Sequence, residues 1–588
     1  MKVKLFITTL IVCSFVPISN FSKEITVINQ VGYLPNIAKY VFTIQPADSF
    51  YVIDSSSQNI CFSGKLELWK MTDPSTELSI YRGDFSNFQK SGTYFIRTAG
   101  GDISHPFQIS NSVYEDTYKK ALKGFYFQRC GLILKSDYAG VYYHPRCHIA
   151  DAFFHESSDT SGFKHTIGGW HDAGDFGKYV VNAGITVGTL LMAYELFPNC
   201  FDQDDIGIPE SGNGIPDILD EMRYELEWLL KMQGPNGGVY TKLTTEKFAP
   251  MIMPHEGDAM RFIYQIASTA TADFAAVMAK AARIYQSFDG TFTDTCLKAA
   301  DKAWNWLEKH PDIVPHGGFQ NPDGTETGEY GDTNDSDERL WASAELFLTT
   351  AENKYHSYYI NNYNQQDLIS GPMGWRNVKT LAHLAYLNGS ANGISSTIQS
   401  QIYSSLVNYC QNLVSDRDES GFHVLLNPGE YFWGSNSQVL NKAILLIICF
   451  EKVDNSKFIE IAFDQLHYIL GINAHDMTFV TGIGEKSPMH PHHRPSIADG
   501  VEDPVPGLLV GGPNQYLQDP TLQAHFNSST PPALCYIDDV GSWASNEIAI
   551  NWNASLVFVS GYFSKCFGDD YINSTGETFP GKIELFQN

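Results

Sequence analysis

The sequence predicts two parts of different class: a small β-sandwich over residues 24–110 and a large all-α domain over residues 111–570. Three observations carry this. Up to about residue 108 the chain is made of short alternating or β-branched runs separated by Pro, Gly, Asp and Ser clusters. From Tyr114 onward the apolar residues recur at helical spacing in long segments. About eleven or twelve such segments follow one another, joined by long Gly/Pro/Asn-rich loops, and that number suits a toroid of six helical hairpins whose loops gather at one end.

Taken in order, Lys2 and Lys4 precede LFITTLIVCSFV, an apolar segment too short for a membrane span and followed by polar ISNFSKE. Residues 1–23 therefore read as a signal peptide, cleaved between Ser19 and Lys23. A lipid-attached Cys13 fits poorly after Val12. The mature protein is expected to be exported, whether secreted, periplasmic or at the cell surface, with no membrane span. ITVINQVGY, KYVFTI, SFYVID, GKLELWK and SGTYFIRT belong to a sandwich of roughly seven strands. No Ser/Thr/Pro-rich linker follows, so the sandwich should pack directly on the helices. Among the helical segments, PDILDEMRYELEWLLKMQ shows the logic. Pro216 sits in the first turn, Ile218, Leu219, Met222, Leu226, Leu229 and Leu230 form one stripe, and Gly234 ends the run. Residues 571–588 form a short tail.

Composition narrows the function. A net charge of −27 repels nucleic acid and anionic membranes, so neither is a partner. Aromatic content of 13% suits flat-faced ligands such as sugars, although large cores also consume aromatics. Without Cys13, nine cysteines remain of ten, an odd number that cannot pair within one chain; some bind metal or lie buried as small apolar residues.

The most loaded stretch is Gly168–Tyr179, GGWHDAGDFGKY. Asp172 and Asp175 lie three apart between glycines, ahead of the apolar run VVNAGITVGTLLMAYELF. Glycine lets a backbone approach a ligand, and a helix N-terminus favours an anion, so Asp175 suits a general base. An Asp N-cap in a glycine turn is the plain alternative. The second stretch, YIDDVGSWASNEIAINWNAS, holds Asp538, Trp543 and Glu547. Glu547 is expected to open an apolar helix, where burial would hold its proton for use as a general acid. A first-turn glutamate matching the helix dipole is the alternative. The third, SPMHPHHRPS, sets His490, His492, His493 and Arg494 among prolines, a stiff loop better suited to hydrogen bonding than to a metal cage. An acid and an opposed base from distant loops are what an inverting glycosidase requires.

Together these stretches resemble glycoside hydrolase family 9, the endoglucanase family, over nearly the whole chain. NQVGYLPNIAKYVF and SGTYFIR resemble the immunoglobulin-like module that precedes the catalytic domain in one branch. GGWHDAGDFGKY resembles its catalytic aspartate loop, TFVTGIGEKSPMHPHHR its histidine signature and YIDDVGSWASNEIAINWNA its C-terminal acid signature. The resemblance implies an all-α (α/α)6 barrel preceded by a small all-β immunoglobulin-like sandwich, hydrolysing β-1,4-glucan with inversion. It makes Asp175 the general base, Asp172 its partner in holding the attacking water and Glu547 the general acid. His492, Arg494 and Asp538 fall on positions that contact sugar hydroxyls or orient the acid. Trp375 and Tyr330 are candidates for the sugar groove, or for core.

Cys130, Cys147, His148 and His171 have the ligand types of a tetrahedral zinc site, and the resemblance implies a structural zinc there. A Cys130–Cys147 disulfide is the rival in an exported protein. YGDTNDSDERLW offers Asp332, Asp335, Asp337 and Glu338 to calcium, a site the resemblance also implies at a helix start. Asp205 and Glu210 in DQDDIGIPE form a weaker second calcium candidate, and solvated acidic loops are the alternative for both.

The expected activity is that of an exported endo-β-1,4-glucanase, a monomer acting on β-glucan polysaccharide or oligosaccharide. The same mechanism on mixed-linkage glucan, xyloglucan or cello-oligosaccharides is the second reading, because loop lengths set how many sugars the groove takes. A non-catalytic glycan-binding protein would lack an acid or a base, and both are present.

Overall fold

A computed structural model describes residues 26–453 and 455–567. The expected signal peptide, residues 1–23, and the tail, residues 571–588, lie outside the described residues. Eight strands form the N-terminal module: β1 Thr26–Val27, β2 Gly32–Tyr33, β3 Tyr40–Thr43, β4 Ser49–Asp54, β5 Ile60–Lys70, β6 Ile80–Asp84, β7 Gly92–Thr98 and β8 Phe107–Ile109. Their order is β1-β3-β6-β5-β4-β7-β8-β2. The 11-residue β5 pairs with β4 through its first half and with β6 through its second, and so passes between the two layers. Tyr33, Val41, Phe50, Phe85, Ile96 and Phe107 fill the space between the layers. The sequence suggested about seven strands; two-residue strands such as β1 and β2 are too short to show alternation.

Twelve long helices follow: α1 Glu115–Gln128, α2 Val180–Leu196, α3 Asp217–Met232, α4 Ser268–Tyr285, α5 Gly290–Lys309, α6 Ser336–Thr350, α7 Asn353–Asn362, α8 Lys379–Asn388, α9 Ser396–Glu419, α10 Ser435–Phe450, α11 Ser456–Ile469 and α12 Ile550–Lys565. Even-numbered helices form the inner ring and odd-numbered ones the outer. Within the ring α2 packs on α4, α4 on α6 and α6 on α8; α9 bridges α8 and α10; α12 packs on both α10 and α2 and closes the circle. This is an (α/α)6 barrel. Residue choice explains the sorting. In α4 every residue except Arg283 is buried, as the small and apolar STATADFAAVMAKAARIY allows. Outer α3 buries Ile218, Leu219, Met222, Leu226 and Leu229 on one side and leaves Arg223 and Glu227 at the surface side.

Because outer and inner helices alternate, the loops that lead into the inner helices meet at one rim. The sandwich packs directly on the barrel, as expected. Val27, Phe42 and Ile80 join Phe422 and Ile472 in one apolar cluster. Trp69 Nε1 donates to Ser420 O at 3.0 Å, the Gly421 amide donates to Asp73 at 2.6 Å, and the Ala533 amide donates to Ser75 O at 3.0 Å. A disulfide joins Cys200, just beyond α2, to Cys566 at the end of α12, 366 residues apart, a pairing no spacing in the sequence announced. No helix among the described residues is long and apolar enough to cross a membrane.

Candidate active site

Two of the three loaded stretches meet backbone to backbone at the rim, and the third lies between them. Ala173 bridges antiparallel to Ala549, and His492 bridges parallel to Glu547. The Ile550 amide, opening α12, donates to Asp172 O at 2.9 Å. Gly174 is where the approach is closest: a Cβ there would lie 1.8 Å from His492 O and 3.3 Å from Glu547 Oε1. Gly169, at φ +73°, sits against Trp228, whose ring a Cβ would strike at 2.6 Å.

Asp172 and Asp175 are both buried. Asp172 accepts hydrogen bonds from Asn182 Nδ2 at 2.7 Å and Tyr330 Oη at 2.6 Å. Burial, then the charge of Asp175, push its pKa up to about 7 against those two bonds. Asp175 accepts from the Gly177 amide at 3.1 Å and from Tyr179 Oη at 3.3 Å. Since α2 starts at Val180, Asp175 lies outside its first turn, and these two donors take the place of the helix dipole invoked from sequence. Glu547 also differs from expectation. It does not open a helix but lies in an extended link, φ −74° and ψ 158°, between the turn Trp543–Asn546 and α12. Burial, then Asp175, still raise its pKa well above the ordinary glutamate range, so it keeps its proton.

The remaining expected residues surround this core. His492 Nδ1 lies 2.6 Å from Val540 O and its ring stands edge-on to Trp543. Arg494 donates to Gly174 O at 2.8 Å and to Ala249 O at 2.8 Å, so part of its guanidinium braces the loop of Asp175. Asp538 accepts from the Met489 and His490 amides and from Asn546 Nδ2, tying the histidine loop to the residue before Glu547. Tyr330, in the left-handed region at φ 47°, packs on Tyr179 and stands edge-on to half-buried Trp375 at 5.1 Å.

Cys130, Cys147, His148 and His171 converge, their ligand atoms within 4.8 Å of one another. His171 Nε2 lies 3.2 Å from His148 Nδ1, and Cys130 Sγ 3.6 Å from the same atom. Both cysteines are unpaired, and the second thiol is favoured as a thiolate by its hydrogen bond from the first. Two thiols and two imidazoles converging in this way form a metal-binding donor set. The acidic candidates behave differently. Asp335 is paired with Arg339 at 2.9 Å, and Asp337 accepts the Val378 amide at 2.8 Å. Glu338 has both oxygens buried without a well-formed hydrogen bond. Asp332, Asp337 and Glu338 do not converge on one point among the described residues. Asp205 is taken by Lys119 at 2.9 Å and Glu210 by both terminal nitrogens of Arg129, so neither is free for an ion. The acids that converge in that region are Asp204, Asp217 and Asp220.

Several residues of the site carried no signal in the sequence. Gln128, the last residue of α1, donates to His171 O and Ala173 O and receives the His171 amide at its own carbonyl. Glu225 accepts the Trp170 amide at 2.6 Å, and Glu221 holds Arg129 and the Trp170 indole. Asn182 could have been suspected as a lone amide inside an apolar helix start. Asn553, which opens an N-x-S tripeptide with Ser555, is buried and spends its side chain on Ala121 O and the Leu509 amide.

Comparison with known proteins adds to this geometry. Residues 114–560 match the family described as glycosyl hydrolase family 9, and residues 22–102 match the cellulase N-terminal ig-like domain. Endoglucanase D of Acetivibrio thermocellus is 35% identical over 535 residues, covering 90% of this chain and 82% of that protein. A xyloglucan-specific endo-beta-1,4-glucanase of Bacteroides ovatus is 35% identical over 549 residues, covering 90% and 92%. The solved structure of a Zn-binding triple mutant of family 9 endoglucanase J30 superposes with a TM-score of 0.85 at 31% identity, covering 90% of this chain and 99% of that one.

Proposed function

The chain belongs to glycosyl hydrolase family 9, and from that membership we propose that it is an exported endo-β-1,4-glucanase that cleaves with inversion at the anomeric carbon. The observation that carries the mechanism is the backbone contact between the loop of Asp175 and the strand of Glu547, which sets a carboxylate and a protonated carboxyl on one rim. Asp175 takes a proton from water as the water oxygen bonds to the anomeric carbon. The bond to the leaving oxygen breaks, and Glu547 gives its proton to that oxygen. Asp172, held by Asn182 and Tyr330, helps orient the water. His492 and Asp538 fix the strand of the acid, Arg494 braces the base loop and reaches toward sugar hydroxyls, and Tyr330 with Trp375 forms an aromatic wall of the groove.

Cys130, Cys147, His148 and His171 fit a structural zinc, which would lock the orientation of His171 and so of its neighbour Asp172. Calcium at the start of α6 would draw on the buried carboxyl of Glu338 and on Asp337 beside it, whereas Asp332 does not converge with them. Asp205 and Glu210 do not fit a second ion. We take the protein to act as a monomer.

The test is proton NMR of products from barley β-glucan and cello-oligosaccharides. A newly cut end that appears first as the α anomer supports inversion, and an initial β anomer rules it out. The 35% identity with a xyloglucan-specific enzyme favours xyloglucan as the second substrate to try. Faster cleavage of xyloglucan than of cello-oligosaccharides would replace the first reading.

A further inference from the structure

The strand leaving the catalytic loop, Lys178–Tyr179, pairs antiparallel with Lys242–Thr244, Tyr179 opposite Lys242. Lys242 is completely buried. Its ammonium donates to Asn321 Oδ1 at 2.6 Å and Gly328 O at 2.8 Å, and lies 3.3 Å from Thr327 Oγ1 and 3.4 Å from Thr327 O. The rings of Tyr264, Phe319 and Tyr179 surround it at 4.7, 5.6 and 5.7 Å. None of these partners is an anion. Burying a cation among neutral groups is costly, and an apolar side chain of the same length would fill the volume without that cost. Packing alone therefore does not account for a charge here.

We propose that Lys242 is a positioning residue for the hydrolysis: its ammonium ties the Asn321–Gly328 loop to the strand of Tyr179. The loop runs on to Tyr330, whose hydroxyl holds Asp172, while Tyr179 holds Asp175. One cation thus fixes both phenols that seat the two aspartates. Burial lowers the pKa of Lys242 to about 7, and the charges resisting that fall are Asp175 and then Glu329. Loss of the ammonium would free the loop from the strand and loosen the seats of both phenols. The inference rests on the reading of Asp175 as the base.

The test is kcat and KM on neutral hydroxyethylcellulose, per folded molecule, for Lys242→Met, Asn321→Ala and Asp175→Asn. Lys242→Met removes the ammonium. Asn321→Ala leaves Lys242 in place and deletes its 2.6 Å acceptor, which covers the case in which the first variant does not fold. Both should lower kcat about 3–10-fold with KM little changed, through the loosened phenols. A merely structural lysine would lower thermal stability and leave kcat per folded molecule where it is. Unchanged kcat in the folded variants, with Asp175→Asn inactive, overturns the proposal alone. Asp175→Asn that keeps activity overturns the base assignment and the proposal with it.

Discussion

Asp172 and Glu547 are raised by the same leading cause, burial, and by the same charge, Asp175. What differs is their hydrogen bonding. Tyr330 and Asn182 support ionised Asp172, whereas Glu547 has the charge of Arg494 and then the Gly174 amide to offset its burial. Activity should therefore fall on the alkaline side as Glu547 loses its proton, above the ordinary glutamate range. Glu547→Gln should remove that limb together with about 10²–10⁴-fold of kcat, read from the pH profile of reducing-end release. Tyr330→Phe deletes the 2.6 Å bond that favours the Asp172 carboxylate. It should slow turnover about tenfold, a typical cost of a lost charge-assisted bond, and shift the titration of Asp172 above about 7; steady-state kinetics with carboxyl-detected NMR would check both. Asp172, Asp175, Glu547 and His492, which the structure brings to one rim, were legible in the sequence as candidates because loop glycines and prolines mark the short motifs that hold them. Gln128 and Lys242 were not, because each is one polar residue in an ordinary element and its role comes from a partner distant in sequence.

Among the elements, α3 supports the catalytic loop through Glu221 and Glu225. Burial raises Glu225 from an ordinary 4.5 to about 8. The folded chain therefore holds this proton more tightly than the unfolded chain. The resulting stability is full below pH 4.5 and is lost as pH rises to about 8. Glu225→Gln cannot titrate and can still accept the Trp170 amide, so the fall in Tm over that window should flatten, by roughly 2 °C or more at its upper end. An unchanged Tm–pH slope would refute this. The metal cluster makes a related demand. Removing the proposed zinc with a chelator should lower Tm before it lowers turnover per folded molecule, as thermal scans alongside active-site-normalised rates would show. Eleven of these twelve helices were legible from periodicity; Asn353–Asn362, a short run rich in Tyr and Asn that buries only Tyr355 and Tyr359, was not, and which helices form the inner ring shows only in burial. The link carrying Glu547 was misread because an apolar run following a glutamate looks the same whether the helix starts at once or three residues later.

At the scale of the whole molecule, closure depends on α12, which fills the place between α2 and α10 and is fastened to the α2 end by Cys200–Cys566. A crosslink spanning so much chain restricts the unfolded state, so Cys200→Ser should cost about 2–5 kcal/mol, measured by denaturant titration in the absence of reductant. The sandwich adds a second restraint. Its Ser75 holds the Ala533 amide, next to the stretch that leads through Tyr536 and Asn546 to Glu547. The pairing of distant cysteines could not be read from the sequence, because chain spacing carries no information about which ends a closed ring brings together.

The same closure sets an order of events during synthesis. A ribosome that has reached residue 546 has produced the proposed base, Asp175, and the cysteines and histidines beside it, but not the proposed proton donor, Glu547, and the ring is unsealed. Chemistry becomes available only when the closing segment emerges and docks, so prematurely terminated polypeptides would be inert instead of carelessly reactive.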